Sequence, residues 1–261
     1  MRRVRGPVTT ASRRSANPGN PIRRSRPRAW LRYAAWLAAT ALLVAGVALW
    51  WFRHWQPDRA RYPVRGIDVS HHQGAIDWAR VAADDVAFAY LKASEGGDHR
   101  DRHFIDNWRQ ARAAGVRVGA YHFFTFCRSG AEQARNFIAV VPRAADALPP
   151  AVDLEFGGNC GRVPDDRAMR RELDAYLRAV EAVYGRPALL YVTPEFLARY
   201  GRALPPRALW RRAILRGPDA SAPWCLWQFH NRGRVDGIDG PVDLNVFEGD
   251  RADWSRAPCR R

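Results

Sequence analysis

From Tyr33 to Phe52 the chain runs for about twenty residues without a charged side chain. That length matches the hydrocarbon thickness of a bilayer. A helix that is apolar all round has no face to turn to water, so this stretch cannot be an ordinary surface element. Trp30, Tyr33, Trp50 and Trp51 stand at its two ends, where interfacial aromatic belts lie. The run therefore divides the chain. Residues 1–32 read as a basic disordered tail, 33–52 as a transmembrane signal anchor, 53–63 as a linker and 64–261 as a folded domain.

Charge supports that division. The first sixty residues hold about a dozen Arg and a single acid, Asp58, so most of the formal net charge of +16 lies there. The segment up to Arg28 has almost no apolar residues and cannot offset the entropy of ordering. Arg on the leading side of the span predicts a cytoplasmic N-terminus and an exported domain. Bulky Trp50, Trp51 and Phe52, followed by Arg53 and His54, make a poor cleavage site, which favours an uncleaved anchor over a signal peptide. Lys92 is the sole lysine, and an Arg bias this uniform reads as genome composition. The folded part is only mildly basic, so nucleic acid is not expected as a partner. The expected location is the plasma or inner membrane, single-pass, with the domain periplasmic or extracellular.

Beyond Val64, strand-like runs alternate with helical ones. Strands are expected at Val64–Ser70, Val86–Ala93, Val116–Phe124, Ala151–Phe156 and Ala188–Thr193. Helices are expected at Arg102–Ala114, Ser129–Val141, Pro164–Tyr184 and Pro194–Tyr200. The third begins at a Pro-Asp pair, and Ser129 with Glu132 forms a capping-box pattern. Three further strands, Ala208–Leu215, Trp224–Phe229 and Val242–Phe247, leave little room for helices between them. The fold class expected is α/β: an irregular β/α barrel of five β/α units followed by three strands, with an open doubly wound sheet as the alternative.

In such a barrel, reactive groups gather at the C-terminal ends of strands. Asp153 and Glu155 are two apart on one strand and so share a face, with Val152, Leu154 and Phe156 on the other. Asp68 and Asp243 end other strands. Four converging carboxylates raise one another's pKa, and an acid that holds its proton beside ionised neighbours suits glycosidic cleavage. Tyr121, Tyr191 and Trp227 offer faces for sugar rings; Glu95, Gln228 and Asn245 offer polar contacts. His71, His72 and His122 lack metal-ligand spacing, and no G-x-S-x-G elbow is present.

These residues form a familiar set. Gly66-Ile67-Asp68-Val69-Ser70-His71-His72-Gln73, Leu91-Lys92-Ala93-Ser94-Glu95-Gly96, Gly119-Ala120-Tyr121-His122-Phe123, Asp153-Leu154-Glu155, Trp227-Gln228 and Val242-Asp243-Leu244-Asn245 resemble, in order, the motifs of the glycoside hydrolase family 25 lysozymes, the Chalaropsis-type N-acetylmuramidases. The resemblance implies a cofactor-free muramidase acting on the β-1,4 bond between N-acetylmuramic acid and N-acetylglucosamine of peptidoglycan; the spacing above leaves no metal expected. It implies Glu155 as general acid/base, Asp153 as helper, and Asp68 and Asp243 as tuning residues. The membrane span is a departure from the family's core pattern and suggests work on the cell's own wall. Alternatives are a catalytically silent peptidoglycan-binding barrel and a hydrolase of another hexosamine polymer such as chitin. A monomer is expected.

Cys127, Cys160, Cys225 and Cys259 lie in the exported part, where disulfides persist. Cys127 and Cys160 follow the third and fourth strands and share one barrel end, which favours Cys127–Cys160, with Cys225–Cys259 pinning the tail. Free buried thiols are the alternative.

Overall fold

The computed structural model describes residues 27–219, 223–256 and 258–259. The expected disorder of the basic tail falls largely on residues 1–26, outside the described residues. The chain divides into two units, 1–48 and 49–261. The described part of the first is helical, belonging to α1 (Pro27–His54), which by length and composition is able to cross a membrane.

The second unit is a closed barrel. In chain order it contains β1 (Arg65–Val69), α2 (Trp78–Ala83), β2 (Phe88–Glu95), β3 (His99–Arg100), α3 (Phe104–Ala113), β4 (Arg117–Phe123), α4 (Gly130–Val140), β5 (Ala151–Leu154), α5 (Asp166–Tyr184), β6 (Leu189–Val192), α6 (Pro194–Tyr200), β7 (Leu209–Arg212), β8 (Leu226–Gly233), β9 (Val242–Phe247) and α7 (Arg251–Arg256). Strands β1, β2, β4, β5, β6, β7 and β8 pair side by side in parallel. β9 then runs antiparallel to both β8 and β1 and closes the ring. β3 is a short hairpin arm on β2. Five β/α units followed by three strands is the expected architecture. α2, α7 and the β3 arm were not foreseen, because pieces of six residues or fewer are too short to show a period.

Local chemistry starts and stops these elements. Asp77, Ser129, Asp165 and Thr193 each accept hydrogen bonds from the first-turn amides of α2, α4, α5 and α6. At Ser129 only half of the expected capping box forms, with Ser129 Oγ accepting from the Glu132 amide; the Glu132 carboxylate pairs with Arg128 instead. Gly185 ends α5 in the left-handed region, which costs an L residue steric energy.

Strand alternation sorts the core into two layers. Outward residues such as Ile67, Leu91, Val118, Val152 and Leu190 pack beneath the helices. Inward residues Phe88, Tyr90, Ala151, Leu189, Trp210, Leu226 and Phe247 fill the barrel. Gly66 and Gly119 stand at inward positions where the rings of Phe88 and Tyr90 occupy the space a Cβ would need. Residues between α1 and β1 do not hang free of the barrel. Trp55 lies 6.1 Å from the rings of both Trp227 and Phe229, and Tyr62 lies 5.7 Å from Trp227.

Two disulfides join Cys127 to Cys160 and Cys225 to Cys259, with Cα separations of 6.2 and 5.3 Å. The first ties the loop after β4 to the loop after β5.

α4 packs against α5 at Gly130, where a Cβ would sit well inside van der Waals distance of the Glu172 carbonyl oxygen. Neither backbone can yield without separating the helices. Gly130→Ala is expected to destabilise the barrel by about 2–3 kcal/mol, lowering its melting temperature by several degrees in a thermal unfolding scan.

Candidate active site

At the C-terminal ends of the parallel strands lies a cleft of about 620 Å³. It is made by the same inward columns that fill the barrel. Along each strand, the inward position changes from apolar to polar on nearing this end: Gly66 to Asp68, Tyr90 to Lys92, Gly119 to Tyr121, Ala151 to Asp153, Leu189 to Tyr191, Trp210 to Arg212 and Leu226 to Gln228. β9 runs the other way and contributes Asp243. Glu155 stands just past β5, two positions beyond Asp153 on the same face.

The antiparallel register sets Asp68 directly opposite Asp243. Residues so paired bring their Cβ atoms within about 5 Å. Asp68 Oδ2 accepts from Asn245 Nδ2 at 2.7 Å and from Gln228 Nε2 at 3.0 Å. Trp210 Nε1–H, which can only donate, bonds Asn245 Oδ1 at 2.8 Å. That turns the Asn245 amide nitrogen toward Asp68. Tyr191 donates to Gln228 Oε1 at 2.9 Å, which orients the second amide the same way. Burial pushes Asp68 up, and hydrogen bonds from Asn245, Gln228 and Asp243 pull it back. Burial, the charge of Asp68 and the hydrogen bond between the two carboxyls push Asp243 up to about 9. The hydrogen bond between them favours the charge on Asp68 and the proton on Asp243.

Asp153 is raised well above the usual carboxylate range, first by burial and then by the charges of Glu155 and Asp68. Its Oδ1 is buried without a hydrogen-bond partner. Glu155 is raised too, by burial first, with the cation of Arg212 opposing and Asp68 reinforcing. Its side chain keeps 23% of its exposure, so it reaches the cleft, with Arg212 Nη1 at 3.9 Å. Burial and the neighbouring carboxylates hold Tyr121 and Tyr191 above the ordinary phenol value, so both remain O–H donors.

The loops beneath these groups are braced. Asn159 donates to the carbonyls of Phe124 and Glu155 at 2.9 and 3.0 Å and accepts from the Phe126 amide at 2.9 Å. It clamps the backbone of Glu155 to the β4 loop, beside the Cys127–Cys160 bridge. Asp101, also buried, accepts from the backbone amide of His71 at 2.6 Å and holds the loop after β1.

Of the residues singled out in the sequence, the cleft gathers Asp68, Asp153, Glu155, Asp243, Tyr121, Tyr191, Gln228 and Glu95. Trp227 is not among them. Neighbouring strand residues face opposite ways, so once Gln228 points inward, Trp227 must point outward. It is buried there and donates to the Ala213 carbonyl at 2.7 Å. Asn245 faces inward but is fully buried one layer below the cleft, where it holds Asp68. His122 lies outside the barrel wall between Ser94 and Gln133, and burial pushes it down to about 3. Among the described residues, no group of three or more His, Cys, Asp or Glu is placed to hold a metal ion.

Sequence reasoning passed over Trp210, Arg212 and Asn159. Strand alternation alone would have found the first two, one and two turns of the pleat along β7. Lys92 and Glu95 both reach the cleft because a register shift between Lys92 and Ser94 breaks the alternation, which pattern reading cannot anticipate.

The family model described as Glycosyl hydrolases family 25 matches residues 67–238. The uncharacterized protein YegX of Escherichia coli K12 is 37% identical over 202 residues, covering 73% of this chain and 71% of its own length. Lysozyme M1 of Streptomyces globisporus is 31% identical over 214 residues, covering 72% of this chain and 69% of its own. A solved family 25 glycosyl hydrolase from Bacillus anthracis superposes with a TM-score of 0.74 at 36% identity, covering 79% of this chain and 97% of that one.

A carboxyl with a raised folded-state pKa stabilises the fold fully below its unfolded value, near 4, and loses that contribution as pH rises toward its folded value. For Asp243 the loss extends up to about 9. Asp243→Asn keeps a donor for Asp68 but does not ionise. Its melting temperature is expected to fall less steeply than the wild type's between pH 5 and 9. Parallel curves would refute the shared proton.

Proposed function

The chain belongs to glycosyl hydrolases family 25, and on that premise we propose that it is an N-acetylmuramidase of the Chalaropsis type. It cleaves the β-1,4 bond between N-acetylmuramic acid and N-acetylglucosamine in peptidoglycan. The observation that carries this reading is Asp153 and Glu155, side by side at the cleft, both held above the usual carboxylate range by burial.

Glu155 is the more accessible of the two and serves as general acid, giving its proton to the glycosidic oxygen and later taking one from water. Asp153 is buried and pushed toward its neutral form, and a neutral carboxyl is a poor nucleophile. The substrate's own 2-acetamido oxygen therefore attacks the anomeric carbon, and Asp153 holds the acetamido N–H with its unpartnered Oδ1. Asp68, the charged member of the pair, supplies the negative field that discourages ionisation of Asp153 and Glu155. Tyr121, Tyr191 and Trp210 line the cleft where sugar rings would lie.

The same reading makes α1 a single-pass anchor, with the Arg-rich tail in the cytoplasm and the barrel in the periplasm or outside the cell. The boundaries are those expected above: tail 1–32, span 33–52, linker 53–63 and catalytic barrel 64–261. Two disulfides accord with an oxidising compartment. The biological role is remodelling of the cell's own wall.

Mass spectrometry of peptidoglycan digested by the detergent-solubilised full chain should give products with muramic acid at the reducing end. Reducing-end N-acetylglucosamine, or digestion of chitin in preference, would overturn the bond assignment. Glu155→Gln is expected to lower kcat by about 10²–10⁴-fold while glycan binding persists. Because the donor must carry its proton, kcat/KM should fall as pH rises through the raised pKa of Glu155. That alkaline limb is expected above the ordinary glutamate range.

A further inference from the structure

Two cations line the cleft, Lys92 and Arg212. Lys92 is committed, with its Nζ 2.6 Å from Glu95 Oε2 and 5.1 Å from the centre of the Phe123 ring. Arg212 is not. Among the described residues its guanidinium makes no hydrogen bond, and its ion-pair contact is Glu155 at 3.9 Å, beyond hydrogen-bond reach. A third of its side chain stays exposed, which leaves its N–H groups open to the cleft.

This placement works against the chemistry. The transition state of glycosidic cleavage is oxocarbenium-like and gains positive charge at the anomeric carbon. A cation beside the proton donor repels that charge. It also favours the ionised form of Glu155, the form that has no proton to give. Uncompensated, Arg212 would lower the rate. It is compensated if the substrate carries an anion to meet it.

Resting on the muramidase reading above, we propose that Arg212 is a specificity residue that takes a carboxylate borne by the glycan and so distinguishes peptidoglycan from neutral hexosamine polymers. Its planar fork of donors suits two-point capture of a carboxylate. Two sources in peptidoglycan share that chemistry: the lactyl carboxylate of muramic acid without a peptide, and the free carboxylates of the stem peptide. Chitin has neither. Docking the anion also screens Glu155 from the guanidinium and so returns the proton donor to its protonated form when the correct substrate is present.

The test uses the detergent-solubilised full chain in the non-hydrolysing Glu155→Gln background, with and without Arg212→Gln. Affinity is measured for three probes: peptide-free peptidoglycan strands, peptide-bearing strands and chitooligosaccharides. Loss of a charge-assisted contact is expected to weaken binding of carboxylate-bearing strands by about ten- to a hundredfold. Binding of chitooligosaccharides should change by less than about twofold. The strand type that loses affinity identifies the source of the carboxylate. Arg212→Lys should recover part of the loss, and it decides the case if the Gln variant melts early. Equal losses on anionic and neutral glycans, or no loss on any, would overturn the proposal. In the active enzyme, the alkaline limb of kcat should lie above that of kcat/KM for the anionic strands and coincide with it for a neutral substrate. These affinities do not depend on which bond is cut, so failure of the muramidase reading in the product analysis is a separate result.

Discussion

The antiparallel pairing of β9 with β1 is the contact on which the barrel and its chemistry both rest. Apart from the β3 arm, the strands before β9 run parallel and would leave two open edges. β9 reverses direction and hydrogen-bonds both edges at once, which closes the barrel. The same register sets Asp243 across from Asp68. Two carboxyls that close inside a protein cannot both be ionised cheaply, so they share a proton. Asn245 comes from the same strand one layer lower and meets Asp68 from below. Closing the sheet and building the carboxylate cluster are thus one event.

The interior of the barrel grades from dry to polar along its axis. Rings of Phe88, Tyr90 and Trp210 fill the lower layers, where Gly66 and Gly119 leave room for them. The carboxyls rest on that apolar floor. They are desolvated from beneath and open to the cleft above, which raises their affinity for protons while leaving Glu155 within reach of a ligand. Precision at this rim comes from the clamp on the Glu155 backbone. Asn159 ties it to the β4 loop, and the Cys127–Cys160 bridge joins the same two loops, so the acid stands on a braced support.

Much of this could be read from residue order. Strand runs ending in Asp68, Asp153 with Glu155, and Asp243 located the acids, because a period of two fixes which residues share a face. The disulfide pairing followed from loops at a common barrel end. Trp227 shows the limit of motif reading. It sits beside Gln228 in a recognisable pair, yet the pleat cannot turn two neighbours the same way, and the inward aromatic ring comes from Trp210 instead. Lys92 and Glu95 show the opposite case, since a bulge lets both reach the cleft against simple alternation. Short α2 and the β3 arm carry too few residues to announce themselves.

By itself, the sequence determined the apolar span, the alternation of strands and helices, and the identity of the four acids. Each depends on local spacing, charge or hydropathy, which are properties of neighbouring residues. Tertiary structure decided which acid carries the proton, which aromatic ring faces the cleft, and that Arg212 stands beside Glu155. Those depend on burial, on a register between strands far apart in the chain, and on cross-barrel distances. Asp68 and Asp243 are 175 residues apart in sequence, and only the closing of the barrel makes them neighbours.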